Sequence, residues 1–182
     1  MNIILDLMGS TVIGALIVSM LINFNMFQSN SIISSDSELH LQQNAKTLAE
    51  ILNNDLRKIG YRYDNTAFVE ADSERISFYS DIDRDGNIEL VTYALGDTTE
   101  VSGTVNPRDR ILRRIVDKDT ISGSSLGLTK SKFSYFNGSG AATTTLSEIQ
   151  YVKAELWIES VEPVDGKYPF TYWEITINPR NL

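Results

Sequence analysis

The 182-residue chain contains no cysteine. Disulfides, thiol nucleophiles and zinc-thiolate sites are therefore excluded. Histidine is nearly as scarce, with His40 as the single example. A multi-histidine metal site is impossible, and His40 reads as a solvated helix residue. Positive charge is missing from the beginning of the chain, since Lys46 is its first basic residue. Basic-residue asymmetry thus says almost nothing about membrane topology. Charge of either sign is absent from Leu7 to Ser35. The net charge of −8 disfavours nucleic acid as a partner, because such binding relies on neutralising phosphates. No glycine-rich phosphate loop or paired catalytic carboxylate motif stands out. An enzyme is not expected.

What is present begins with "DLMGSTVIGALIVSMLINFNMF", residues 6–27. A membrane span needs about 20 mostly apolar residues, and Ile3 to Phe27 supplies them. A cleaved secretory signal would show a basic start, a shorter apolar core and a small-residue cleavage site. Met1-Asn2 and Asn25-Met26-Phe27-Gln28 offer neither end of that pattern, so the segment is expected to be retained. Asp6 is its one acid. A carboxylate costs about 2.5 to 3.5 kcal/mol at the centre of a span and less near an end. Asp6 is either solvated at the headgroups or neutralised by a cation on a neighbouring copy. Gly9, Ser10, Thr11, Gly14, Ala15 and Ser19 are small, which permits close helix–helix approach. Gly9 and Gly14 also weaken the helix locally, and Asn23 and Asn25 interrupt its apolar run.

Beyond residue 35 the pattern becomes amphipathic. Leu41, Ala45, Leu48, Leu52, Leu56 and Ile59 recur at three- and four-residue spacings, which marks one face of a helix. If the helix restarts here, Ser37 is its N-cap and Gly60 its terminator, giving a helix over 37–60; the alternative is one helix from Ile3 to Ile59. The rest reads as strands: "RISFYS", "IELVTYAL", "RILRRIVD", "IQYVKAELWIES" and "PFTYWEITI". Turn-rich segments separate them, and the Gly/Ser/Thr-rich stretch 137–145 reads as an exposed loop. The expectation is an α+β fold, a long N-terminal helix laid on one meandering antiparallel sheet. Residues 1–35 would form the apolar helix and 36–182 the globular head.

The strongest local motif is "DIDRDGNIE". Asp81, Asp83, Asp85 and Gly86 match the first half of a calcium loop, D-x-D-x-D-G, with Asn87 and Glu89 as further oxygen donors. Thr92 stands where a calcium-binding helix–loop–helix would place its bidentate glutamate. The commoner reading of such residues is a solvated hairpin turn. Calcium is the one candidate cofactor. "GSSLG", residues 123–127, formally matches G-x-S-x-G, but turn formers surround it and a histidine base is lacking. Arg108, Arg110, Arg113 and Arg114 form a basic cluster, read as guarding an edge strand or pairing with a neighbour's acids. The aromatics Tyr151, Trp157, Tyr168, Phe170, Tyr172 and Trp173 are expected mostly in the core or in cross-strand pairs, with a minority exposed for binding surfaces.

Three features together resemble the type IV pilin-like superfamily of pilins, minor pilins and pseudopilins. They are an acid near the start of an apolar helix (Asp6), a helix ending in Arg57-Lys58-Ile59-Gly60-Tyr61, and a closing strand finishing in Arg180-Asn181. The acid is aspartate where the family uses glutamate, and the family's frequent C-terminal disulfide loop is lacking. The resemblance implies a non-enzymatic subunit, held in the membrane before assembly and then packed into an extracellular filament. Its implied partners are further copies of itself, other pilin-like subunits and inner-membrane assembly machinery. It also implies that Asp6 pairs with the N-terminus of an adjacent subunit, with Gly9 and Gly14 in the helix contact. A minor or priming subunit, a secretion pseudopilin and a monomeric membrane-tethered binding module remain alternatives.

Overall fold

The computed structural model describes residues 3–122, 125–164 and 166–182, leaving aside the side chains of Leu5 and Ser122. Met1, Asn2 and the Gly123-Ser124 part of the G-x-S-x-G match lie outside the described residues. The fold is α+β. Helix α1 (Ile3–Leu56) is followed by β1 (Phe68–Ala71), β2 (Arg75–Ser80), β3 (Glu89–Leu95), β4 (Leu112–Val116), β5 (Asp119–Ser122), β6 (Leu128–Phe136), β7 (Tyr151–Glu159) and β8 (Phe170–Ile177). Two compact units divide the chain, Met1–Glu38 and Leu39–Leu182.

Within the first unit the helix runs through Gly9, Gly14, Asn23 and Asn25 without a break. Its polar side chains turn back on their own backbone. The hydroxyls of Ser10 and Thr11 donate to the carbonyls of Leu7 and Met8, and the Asn25 amide donates to that of Leu21, each at 2.9 Å. Such bonds satisfy polar groups without water. Of the two alternatives the continuous helix holds: helical residues run on both sides of Ser37, where no cap is needed.

In the second unit one face of α1 supplies Leu41, Ala45, Leu48, Ala49, Leu52 and Leu56 to the core. The helix stops at Leu56 rather than at 60. Its last turn tightens, with Lys58 N–H donating to Asp55 O and Ile59 N–H to Leu56 O. Gly60 then takes a left-handed φ of 74° and its N–H donates to Tyr79 O at 3.0 Å, tying the helix end to β2. A side chain there would be strained by conformation and crowded by the Asn181 carbonyl, 2.8 Å from an added Cβ.

The strands form two antiparallel sheets, not the single meander expected. One has the order β1-β2-β3-β4-β5 and the other β6-β7-β8. The chain turns at Leu126 and Gly127, both left-handed, and Glu159 N–H donates to Gly127 O at 2.8 Å. This seats the start of β6 on the end of β7 instead of on β5. Strand β7 alternates cleanly, burying Val152, Ala154, Leu156 and Ile158. These join Ile76, Phe78, Val91 and Tyr93 of the larger sheet and the α1 face in one hydrophobic cluster.

Arg113 and Arg114 do not guard an edge, since their strand β4 lies between β3 and β5. Arg114 reaches Asp55 of α1 at 2.5 Å, where the Tyr93 hydroxyl also donates at 2.6 Å. Arg113 pairs with Glu100 at 2.5 Å and Arg108 with Glu159 at 2.8 Å. Burial, with the Asp55 charge beside it, pushes the Tyr93 hydroxyl far above its ordinary value. The six late aromatics also stand further out than expected. None is fully buried, and Phe170, Tyr172 and Trp173 are exposed. Trp157 and Tyr172 do form a cross-strand pair, with ring centroids 5.2 Å apart.

Candidate functional site

Two places carry functional character. The first is the apolar stretch of α1. Its described large apolar side chains from Ile3 to Ile33 are 54% to 79% exposed. Fully burying one such side chain is worth about 1.5 to 3 kcal/mol, so the stretch is strongly driven out of water. The helix is long and apolar enough to cross a membrane. An added Cβ at Gly9 or Gly14 would meet nothing within 4 Å. Neither glycine is required by the chain's own packing, and both are open to a neighbour. Asp6 lies in the first turn of α1, where a carboxylate favours the helix dipole.

The second is the loop between β2 and β3. Pairing of Ser80 with Glu89 closes the hairpin and brings Glu89 beside Asp81. Carboxylate oxygens of Asp81, Asp83 and Glu89 all lie within 4.8 Å of one another. Asp81 is fully buried. Its Oδ2 accepts from the Arg62 guanidinium at 2.9 Å and the Gly86 N–H at 3.2 Å. Its Oδ1 is buried without a hydrogen-bond partner. Glu89 Oε2 accepts from Ile82 N–H at 2.9 Å, and Asp83 Oδ1 from Asp85 N–H at 3.0 Å. The Asp81 bond raises the Arg62 guanidinium above its ordinary value.

Asp85 is not among these three carboxylates. The backbone and side-chain amides of Asn87 donate to the two oxygens of Asp85, each at 2.8 Å. These bonds, the backbone one foremost, hold the Asp85 carboxyl below the usual carboxylate range. The loop therefore splits its four acids into a converging set of three and one, Asp85, that is satisfied by Asn87.

A third feature escaped the sequence. Asn181 Nδ2 donates to Ile59 O at 3.4 Å, so the "RKIGY" and "RN" motifs meet. Around that junction lies an open depression of about 530 Å³, lined by Arg57, Lys58, Arg84 and Arg180 together with Asn53, Asn54, Tyr61 and Asn181. Spacing could not reveal it, because its residues come from the helix end, the acidic loop and the chain's last residues. No family model, no curated protein and no solved structure matches the chain.

Proposed function

We propose that this chain is a structural subunit of a type IV pilus-like extracellular filament, anchored in a membrane by α1 before assembly. The observation that carries the reading is the continuous apolar stretch of α1, exposed on every side in the single chain. The same stretch suits a plain anchor, so the supporting details are its polar residues. Moving a helix from lipid into a helix bundle gains little hydrophobic free energy, because lipid tails are already apolar. Association must then come from close packing, which Gly9 and Gly14 allow, and from neutralising Asp6. The resemblance supplies the cation: the N-terminal amine of the next subunit. The junction of Gly60 with Asn181 adds that two of the motifs behind the resemblance are neighbours in space. The finished filament stands at the cell surface.

The experiment uses the absence of native cysteine. Ile3→Cys in one copy and Leu7→Cys in a differently tagged copy are co-expressed and oxidised, and surface-sheared material is separated. Mixed dimers and higher multimers are expected, and Asp6→Ala should reduce them. Monomer alone would overturn the reading in favour of a membrane-tethered module.

A further inference from the structure

We infer that the loop between β2 and β3 binds one calcium ion through Asp81, Asp83 and Glu89. Oxygens on a single calcium sit about 2.3 to 2.6 Å from it, so two of them lie at most about 5 Å apart. The three carboxylates already meet that limit, at 4.8 Å or less. A separate observation points to a missing cation. Asp81 is 0% exposed, yet its Oδ1 has no donor, while Arg62 and Gly86 both serve Oδ2. A buried, unpaired carboxylate oxygen is costly unless a hydrogen bond or a cation compensates it.

Charge agrees with geometry. The three carboxylates outnumber the two cations bonded to this part of the loop, the Arg62 guanidinium on Asp81 and the Lys58 ammonium on the Ile82 carbonyl, so the site stays net negative and attracts a cation. The donors are all hard oxygens, which suits calcium rather than a soft transition metal. Asp83 is exposed, so that side of the ion is open for water to complete the six to eight oxygens calcium takes. Magnesium holds its waters more tightly and demands a stricter octahedron. The ion would fasten Asp81, at the end of β2, to Glu89, at the start of β3. This inference does not rest on the filament reading, since a solitary head would bind calcium equally well.

The test takes the full chain in mild detergent, stripped with a chelator and titrated with calcium chloride or magnesium chloride by calorimetry and thermal melting. One calcium per chain is expected, within the roughly 0.1 to 1 mM range of extracellular modules, with a rise in Tm that magnesium does not match. Asp83→Asn and Glu89→Gln should each weaken binding about tenfold or more. Asp85→Asn should leave it within about twofold, because Asp85 is occupied by Asn87. A folded wild-type chain that takes up no calcium at millimolar concentration would overturn the assignment. Equal responses to the two ions would do so too, as would equal weakening by Asp83→Asn and Asp85→Asn, since both indicate diffuse attraction. The wild-type titration decides the matter if a variant fails to fold.

Discussion

The two ends of α1 use the same backbone hydrogen bonds and place their apolar side chains differently. From Leu41 to Leu56 the apolar residues other than the exposed Ile51 keep to one stripe, and that stripe is buried within the chain's own head. From Ile3 to Ile33 the described large apolar residues lie on all sides of the helix and are exposed. A stripe is a specification for folding, because it has one direction to bury. An all-round apolar surface specifies an environment instead: lipid, or other helices. The contrast teaches that one helix can belong to two separate energetic problems, the first solved by this chain alone and the second only in company.

The largest effect should come from truncating the stripe. Leu52→Ala removes a fully buried side chain and should destabilise the head by about 2 to 5 kcal/mol in denaturant melts. Leu16→Ala, at a 64% exposed position, should change that stability by no more than about 0.5 kcal/mol. Equal losses at the two positions would break the comparison.

Glycines sharpen it further. Gly60→Ala forces a left-handed residue against Asn181 O and should cost about 1 to 2 kcal/mol. Gly14→Leu meets nothing within the chain and removes a helix-weakening residue worth up to about 1 kcal/mol. Head stability should therefore survive Gly14→Leu, while the yield of sheared multimers falls. A variant with undiminished assembly would show that Gly14 is not a contact.

The smallest effect concerns pH and the head alone. Burial raises the Asp109 carboxyl above its ordinary value, opposed by hydrogen bonds from Thr104 and Ser125. The folded state thus holds the proton more tightly than the unfolded chain. Its contribution to stability is full below the unfolded value, about 3.9, and is lost as pH rises through the folded value. Asp109→Asn abolishes that dependence, so wild type should lose ground to the variant as pH rises from about 4. A difference that stays constant with pH would contradict the assignment.

Strands β2, β3, β7 and β8 were legible because each carries a β-branched or aromatic run between turn formers. Strand β1 is only four residues with an irregular register, and β5 is four residues at a sheet edge. Strand β6 hides because its outward positions are Thr129, Lys130 and Lys132, so its beginning reads as turn. The split into two sheets depended on where Gly127 lands, a long-range contact with Glu159 that alternation does not encode. At the acidic loop the motif named the residues, but which of their carboxylates converge depends on the fold. Glu89 was already among the named donors and strand register brings it beside Asp81, while the Asp85 carboxylate is engaged by Asn87. The basic depression was invisible for the same reason, being assembled from three distant segments.

The central claim is that the apolar stretch of α1 ends buried against its counterparts in other copies. Imaging the native assembly at a resolution that traces helices tests it most directly. The account predicts a helical filament with residues 3–33 of every copy packed together at the axis and Asp6 beside the start of a neighbouring chain. Solitary chains, each with this stretch surrounded by lipid and no filament, would contradict it.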